Sequence, residues 1–185
     1  MIRALLLCGG RSSRFGSDKL LAGREPLALQ SARALHRGAG SVLAVMPLER
    51  PDLRRVLEGA GCEILETDRT SRGLGASLAA GVEASASASG WIVALGDMPR
   101  VKPATIAAVK AALEKGAAIA VPCQGGKRGH PVGFSAALRQ ELIALDGDVG
   151  ARSVLERHAK DVVRVDVDDA GIFIDVDTPE DLQNL

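Results

Sequence analysis

Short apolar runs alternate along the chain with stretches in which apolar residues recur every three or four positions. The first run, residues 2–7, is apolar except for Arg3, which is typical of a strand buried on both faces of a parallel sheet. In residues 104–115, Ile106, Val109 and Leu113 recur at helical spacing. The same criteria predict strands at 2–7, 41–46, 62–65, 91–95, 117–121, 132–134, 162–167 and 172–176. They predict helices at 26–36, 51–58, 74–82, 104–115, 136–145, 151–158 and from 179 onward.

This alternation predicts an α/β fold with an open, mostly parallel sheet and helices on both faces. The rhythm changes after Pro122, where a Gly-rich and basic loop, 124–129, precedes a short strand. We therefore expect a small antiparallel element late in the chain, covering one side of a site. With 185 residues, a single domain over 1–185 is expected.

Composition narrows the classes of function. The chain is 46% hydrophobic and 25% charged, which is sufficient for a packed core. A formal net charge of +0 and 2% aromatic residues argue against a nucleic-acid binder. Cys8, Cys62 and Cys123 are too far apart for a disulfide framework or a zinc motif. Without an apolar run of membrane length or a signal-peptide pattern, we expect a cytoplasmic protein with no membrane partner.

The loop after the first strand is the most informative segment. Residues 7–21 read LCGGRSSRFGSDKLL, so glycines and three cations follow a buried strand. Ligands of open α/β sheets bind beyond the carboxyl ends of the strands, and glycine lets backbone N–H groups approach an anion. Arg11, Arg14 and Lys19 suit a polyphosphate, although the spacing is not that of a P-loop. The alternative is a surface turn whose cations are simply solvated.

Two acidic segments follow later predicted strands. Asp97 lies just past the strand 91–95, and Asp175 and Asp177 lie at the end of the last predicted strand. Strand alternation would place Phe173, Asp175 and Asp177 on one face. Mg²⁺ with a triphosphate is typically held by one or two carboxylates plus phosphate oxygens, so Asp97 and Asp177 are candidate ligands with Asp175 nearby. Alternatively, Asp97 caps a turn.

Taken in order, the motifs resemble the nucleotidyltransferases that act on the molybdenum cofactor. They are the first loop, GDMP at 96–99, GHPVGF at 129–134, GDVGAR at 147–152 and DVDTPED at 175–181. The resemblance spans residue 4 to about residue 182. It implies a Rossmann-like fold of the nucleotide-diphospho-sugar transferase type, with a loop that wraps a nucleoside triphosphate.

The resemblance also implies roles for individual residues. Those expected to contact the nucleotide are Leu7, Cys8, Gly9, Gly10, Arg11, Arg14 and Lys19, with Asp68 and Ser77 as weaker candidates. Those expected to hold the metal are Asp97, Asp177 and Asp175, and those expected to contact the acceptor are His130 and Arg152. Lys19, Arg11 and Asp97 are the expected catalytic residues.

The implied reaction joins CTP and the molybdopterin cofactor, with release of pyrophosphate and with Mg²⁺ or alternatively Mn²⁺. A recipient molybdoenzyme or its chaperone would be a further partner. Cytidylyl members usually have Ala-Ala-Gly where this chain has Cys8-Gly9-Gly10, and the guanylyl branch has Ala-Gly-Gly. GDMP and DVDTPED favour CTP, so GTP is the alternative donor. Another phosphorylated acceptor and a non-catalytic cofactor carrier also remain open.

Several segments have purely structural alternatives. The glycines of 73–81 also suit a helix of small residues packed on a sheet, and Asp148 suits a helix N-cap. Thr178 and Pro179 are typical of a helix start, followed by two acidic residues that complement the helix dipole. The loop around His130 could be an ordinary solvated loop.

Overall fold

A mixed eight-stranded sheet lies between two layers of helices in the computed structural model, which describes residues 1–9, 15 and 18–185. The strands are β1 (Ile2–Leu7), β2 (Val42–Met46), β3 (Glu63–Glu66), β4 (Gly90–Leu95), β5 (Ile119–Gln124), β6 (Lys127–Arg128), β7 (Val132–Ser135) and β8 (Val162–Asp166). The α-helices are α1 (Leu27–Ala39), α2 (Pro51–Gly59), α3 (Leu74–Ala84), α4 (Pro103–Glu114), α5 (Arg139–Ile143), α6 (Arg152–Arg157) and α7 (Pro179–Gln183).

The strand order is β3-β2-β1-β4-β7-β5-β6, with β8 paired to the other side of β5. Strands β1 to β4 are mutually parallel, and β8 runs parallel to β5. Strand β7 is antiparallel to both β4 and β5, and β6 forms a hairpin with β5. The predicted fold class, including a late antiparallel element, is therefore confirmed. The predicted loop 124–129 contains β6, whose turn has Gly125 and Gly126 at positive φ.

Alternation along β1 divides the core into two layers. Ala4 and Leu6 face the layer that contains α1 and α4, and Leu5 and Leu7 face the layer that contains α3 and α5. This arrangement explains why the run 2–7 is apolar throughout its centre. Within the described ranges, no helix has the length and apolar character needed to cross a membrane.

The strand predicted at 172–176 is wrong. Residues Ala170–Phe173 form a 3₁₀ turn, and Ile174 is 39% exposed rather than facing the core with Ile172. The cause is the buried carboxylate of Asp169, which accepts hydrogen bonds from the Gly171 amide at 3.0 Å and from the Lys102 amide at 2.8 Å. These bonds tie the segment to the start of α4 and bend it away from a strand.

Candidate active site

The ammonium group of Lys19 lies between two carboxylates from distant parts of the chain. Its Nζ donates to Asp97 Oδ2 at 2.7 Å and to Asp177 Oδ1 at 2.9 Å. The lysine side chain is 11% exposed, whereas those of Asp97 and Asp177 are 20% and 39% exposed. The three charged groups thus form a half-buried cluster at the carboxyl end of the sheet.

Backbone hydrogen bonds bring the two acidic segments together. The Gly96 amide donates to Leu7 O at 3.0 Å, which places the residues after β4 beside the end of β1. The Val176 amide donates to Asp97 O at 3.0 Å, so the next residue, Asp177, lies close to the Asp97 side chain. Convergence of Asp97 and Asp177 is therefore built into the main chain and does not depend on Lys19 alone.

The start of α7 holds Asp177 in place. Asp181 Oδ2 accepts hydrogen bonds from the amides of Asp177 at 3.0 Å and Thr178 at 2.8 Å. The Thr178 hydroxyl accepts from the Asp181 amide in return, which completes a capping box. These hydrogen bonds keep the pKa of the Asp181 carboxyl below its usual range. The prediction that Thr178 begins a helix is confirmed.

The cluster combines a charged ammonium with a carboxylate oxygen that has no hydrogen-bond partner among the described residues. Burial lowers the pKa of Lys19, but the hydrogen bonds to Asp97 and Asp177 outweigh it, so the net pKa is raised and the ammonium is charged at neutral pH. Asp97 Oδ1 is buried and has no hydrogen-bond partner among the described residues. A buried carboxylate oxygen without a partner is costly unless a cation or donor binds it. Together with Asp177 it suits a hard divalent cation whose remaining ligands are phosphate and water oxygens.

Asp175 is not part of this cluster. It is exposed, and its charge partly opposes the lowering of the His130 pKa by burial. The shared strand face predicted for Asp175 and Asp177 does not exist, because the segment is not a strand. Across the described ranges, no three His, Cys, Asp or Glu side chains are grouped as a self-sufficient metal site. The geometry favours Asp177 over Asp175 as the partner of Asp97.

The described part of the glycine-rich loop packs closely against the start of the α3 region. A Cβ atom at Gly9 would lie 2.9 Å from Ser77 Oγ and 2.9 Å from Thr70 Cβ, so only glycine fits there without a shift. Cys8 is buried in the core, and burial raises the pKa of its thiol. Its side chain is therefore packed in the core. Gly10, Arg11 and Arg14, which the sequence also indicated for the nucleotide, lie outside the described residues.

Gly9→Ala is expected to destabilise the protein by about 1–3 kcal/mol, because the added methyl group overpacks the contact with Ser77 and Thr70. Gly59→Ala is the matched control, since a Cβ there has no neighbour within 4 Å and Gly59 ends α2. It should be neutral or stabilise by about 0.5–1 kcal/mol. Thermal and urea unfolding of both variants measure the difference. Equal effects of the two substitutions would contradict the close approach at Gly9.

A cavity of about 410 Å³ opens on the α3 side of the sheet, at the carboxyl ends of β1 and β4. Its floor is apolar and includes Leu7 and Leu95, the last residues of β1 and β4. Its lining also includes polar groups, among them Arg128, His130 and Arg152. The cavity therefore has room and chemistry for an acceptor with an apolar body and an anionic group.

His130 and Arg152, both indicated for the acceptor, differ in how firmly they are held. Burial lowers the pKa of His130, although the charges of Asp97 and Asp175 oppose the shift, so its imidazole is neutral at neutral pH. Its Nδ1 is buried without a partner among the described residues. Arg152 is highly exposed and pairs with Glu156 at 2.9 Å within α6. His130 is thus a preset polar group of the cavity, whereas Arg152 lies at its exposed rim.

Comparison with known proteins identifies the family. A sequence model described as the MobA-like NTP transferase domain matches residues 4–162. The chain belongs to this family. It is a nucleotidyltransferase of the MobA-like type, and the resemblance drawn from its motifs is confirmed at that level. A sequence search among curated proteins finds no match.

Solved structures support the fold of this MobA-like domain. Rv0371c from Mycobacterium tuberculosis H37Rv is 27% identical, with a TM-score of 0.85 over 99% of this chain and 95% of that chain. A complex of Rv0371c with manganese gives 24% identity and a TM-score of 0.81, covering 100% and 97%. Molybdopterin-guanine dinucleotide biosynthesis protein A from Archaeoglobus fulgidus gives 18% identity and a TM-score of 0.67, covering 98% and 95%.

Ser77 and Asp68, the two weaker candidates for contact with the nucleotide, differ in burial. Ser77 is fully buried, and its hydroxyl donates to Gly73 O at 2.9 Å, while its Oγ lies under Gly9. Ser77 thus packs directly against Gly9. Asp68 is exposed at the start of a 3₁₀ turn, Asp68–Arg72, in front of α3.

The glycines at the start of α3 have a packing role. The Gly75 amide donates to Gly147 O at 2.8 Å, and a Cβ at residue 75 would lie 2.9 Å from Asp146 O. The GDVGAR segment therefore rests directly on α3, and Arg72 pairs with Asp146 at 2.7 Å across the same contact. This supports the structural alternative for the glycines, namely close packing, although the partner is a loop as well as the sheet.

Some contacts of the site were not anticipated from the sequence. Asp18 caps the turn Lys19–Leu21 by accepting from the Leu20 amide at 3.2 Å, and it forms an ion pair with Arg50 at the start of α2. Sequence separation gives no signal for the Asp18–Arg50 pair. Thr70, which contacts Gly9, follows β3 in the predicted topology, so the carboxyl-end rule could have placed it near the loop.

Proposed function

We propose that this MobA-like nucleotidyltransferase transfers CMP from CTP to the terminal phosphate of the molybdopterin cofactor and releases pyrophosphate. The observation that carries the proposal is the cluster of Lys19, Asp97 and Asp177, together with a cavity of about 410 Å³ at the same end of the sheet. A triphosphate needs a cation site and a lysine next to the glycine-rich loop, and an acceptor needs an adjoining cavity. Both requirements meet at the carboxyl ends of β1 and β4.

The proposed mechanism is a direct in-line displacement. An acceptor phosphate oxygen forms a bond to the α-phosphorus of the nucleotide, and the bond from that phosphorus to its bridging oxygen breaks. The electron pair leaves with pyrophosphate. Lys19 neutralises charge on the phosphates, and the residues of the cavity orient the acceptor. No covalent intermediate on the protein is required.

A divalent cation belongs to this proposal. Asp97 and Asp177 would hold Mg²⁺ or Mn²⁺, and the buried, unpartnered Oδ1 of Asp97 fits that role. The Rv0371c relative was solved as a manganese complex, which supports the choice of metal. When bound, the cation withdraws charge from the phosphate oxygens and favours displacement.

The acceptor assignment rests on the walls of the cavity. Apolar residues such as Leu78, Val93 and Phe134 suit a flat heterocycle, whereas Arg128 and the neutral His130 suit its polar edge and its phosphate. A molybdopterin-type acceptor has both parts. We further propose that a recipient molybdoenzyme or its chaperone takes the product.

GTP is a second candidate donor, and one contact favours it. Cytidylyl members resemble one another in having alanine at the position of Gly9, whereas the guanylyl branch has glycine there. In this chain a Cβ at residue 9 would collide with Ser77 and Thr70. The GDMP and DVDTPED segments, which contribute Asp97 and Asp177, remain closer to the cytidylyl pattern.

A thermal-shift panel of CTP, GTP, ATP and UTP with Mg²⁺, followed by a pyrophosphate-release assay with the molybdenum cofactor, tests the proposal. Saturating CTP, at a hundredfold excess over Kd, should raise Tm by ~5–10 °C, because ligand binding stabilises the folded state by mass action. A Tm increase with GTP but not with CTP would show that GTP, not CTP, is the nucleotide donor. No response to any nucleotide, or binding without pyrophosphate release, would overturn the proposed function.

A further inference from the structure

The position of Lys19 has a consequence for how the metal enters. We propose that Lys19 is a built-in counter-ion that closes the Asp97–Asp177 pair to a free divalent cation, so that the cation binds only together with a triphosphate. This inference rests on the proposed function. It concerns the order of binding, which the proposed reaction does not itself require.

The geometry of the ion pairs supports this role. A single ammonium donates to both carboxylates, at 2.7 and 2.9 Å, and therefore competes with any cation that these two carboxylates would hold. With the lysine side chain only 11% exposed, water can replace few of these contacts. A cation that approaches alone meets a pair of carboxylates already half neutralised, together with a positive charge at contact distance.

A triphosphate changes this balance. Its oxygens offer the ammonium several negative charges beside the glycine-rich loop, so Lys19 can exchange the carboxylates for phosphate. The ammonium then no longer competes with a cation for the Asp97 and Asp177 carboxylates. Oδ1 of Asp97 lacks a partner among the described residues and would be a further oxygen for the cation.

The backbone around Lys19 confines the movement to its side chain. Asp18 accepts from the Leu20 amide at 3.2 Å through Oδ1 and from the Leu21 amide at 3.1 Å through its backbone O. Asp18 is itself held by Arg50 of the residues preceding α2. Asp18 therefore fixes the start of the turn Lys19–Leu21. The flexible four-carbon side chain of Lys19 can redirect its ammonium without moving the backbone of this turn.

The test measures binding of Mn²⁺ alone, from the electron paramagnetic resonance signal of the free ion, to the whole protein without nucleotide. Lys19→Met should bind Mn²⁺ about tenfold more tightly than the wild-type protein, because the competing charge is gone. Lys19→Arg keeps the charge and should bind as weakly as the wild type. The double variant Lys19→Met/Asp97→Asn should lose the gain.

A second measurement covers folding. Mn²⁺ should raise the Tm of Lys19→Met, in which no ammonium competes for the two carboxylates, and leave that of the wild type almost unchanged. Lys19→Gln serves in place of Lys19→Met if the latter does not fold by circular dichroism. Equal Mn²⁺ affinities of the wild-type and charge-free variants would overturn the counter-ion role.

Adding CTP separates this inference from the proposed function. In the wild type, CTP should increase Mn²⁺ affinity at least about tenfold, and Asp97→Asn should abolish the increase. If CTP promotes Mn²⁺ binding but Lys19→Met shows no gain for Mn²⁺ alone, the counter-ion role fails and the nucleotide site stands. If nucleotides promote no Mn²⁺ binding in any variant, the proposed function fails.

Discussion

Asp97→Asn is expected to lower turnover by about a thousandfold or more while leaving the fold intact. The substitution keeps the size of the side chain but removes the charge that pairs with Lys19 and that a divalent cation requires. The main-chain bond from the Val176 amide to Asp97 O does not involve the side chain, so the two segments should stay together. Pyrophosphate release measures the rate, and circular dichroism and Tm report on the fold.

Asp52→Asn is a matched control for this variant. Asp52 is exposed on α2 and pairs only with Arg55 among the described residues, so this substitution should leave the rate unchanged. Asp177→Asn should lower turnover strongly, as Asp97→Asn does, because Asp177 contacts Lys19. Asp175→Asn should lower turnover less, because Asp175 lies outside the cluster. Turnover of Asp97→Asn at near wild-type rate would refute the metal assignment.

Regular periodicity made most of the fold predictable from the sequence. The apolar run of β1 and the helical spacing in α4 correspond to real elements, because each is long enough for its burial pattern to dominate local preferences. The segment 172–176 shows where this reasoning fails. Its alternating residues imitate a strand, but a buried side chain, Asp169, bends the chain through contacts with Lys102 and Thr105, more than sixty residues away. Periodicity carries no information about such a contact.

The acidic residues of the site were predictable for a different reason. Asp97 follows a parallel strand directly, so topology alone places it at the ligand-binding edge of the sheet. The proximity of Asp177 was expected from the carboxylates that Mg²⁺ with a triphosphate requires and from the motifs, but the strand that was to carry Asp177 is absent. It reaches Asp97 through one backbone hydrogen bond, from Val176. The bridging position of Lys19 between the two carboxylates could not be read from spacing, because it depends on the three-dimensional path of three separate segments.

Lys19→Ala is expected to weaken transition-state binding by about 2–4 kcal/mol, by analogy with loss of an oxyanion donor, and turnover should fall accordingly. The lost ammonium would otherwise neutralise charge that gathers on the leaving pyrophosphate. Single-turnover rates at saturating CTP and Mg²⁺ measure the effect. Lys160→Ala, which removes an exposed lysine after α6, is the control and should leave the rate unchanged.

The same lysine should thus have opposite effects on two observables. Removing it tightens binding of the free metal, because the ammonium no longer competes for Asp97 and Asp177, and it slows transfer, because the phosphates lose a cation. A purely structural ion pair would not produce this combination, since its loss would lower Tm without favouring the metal. An unchanged rate in Lys19→Ala would remove the lysine from the phosphate site, whatever its effect on metal binding. The residue would then serve only to keep two like charges together at the edge of the sheet.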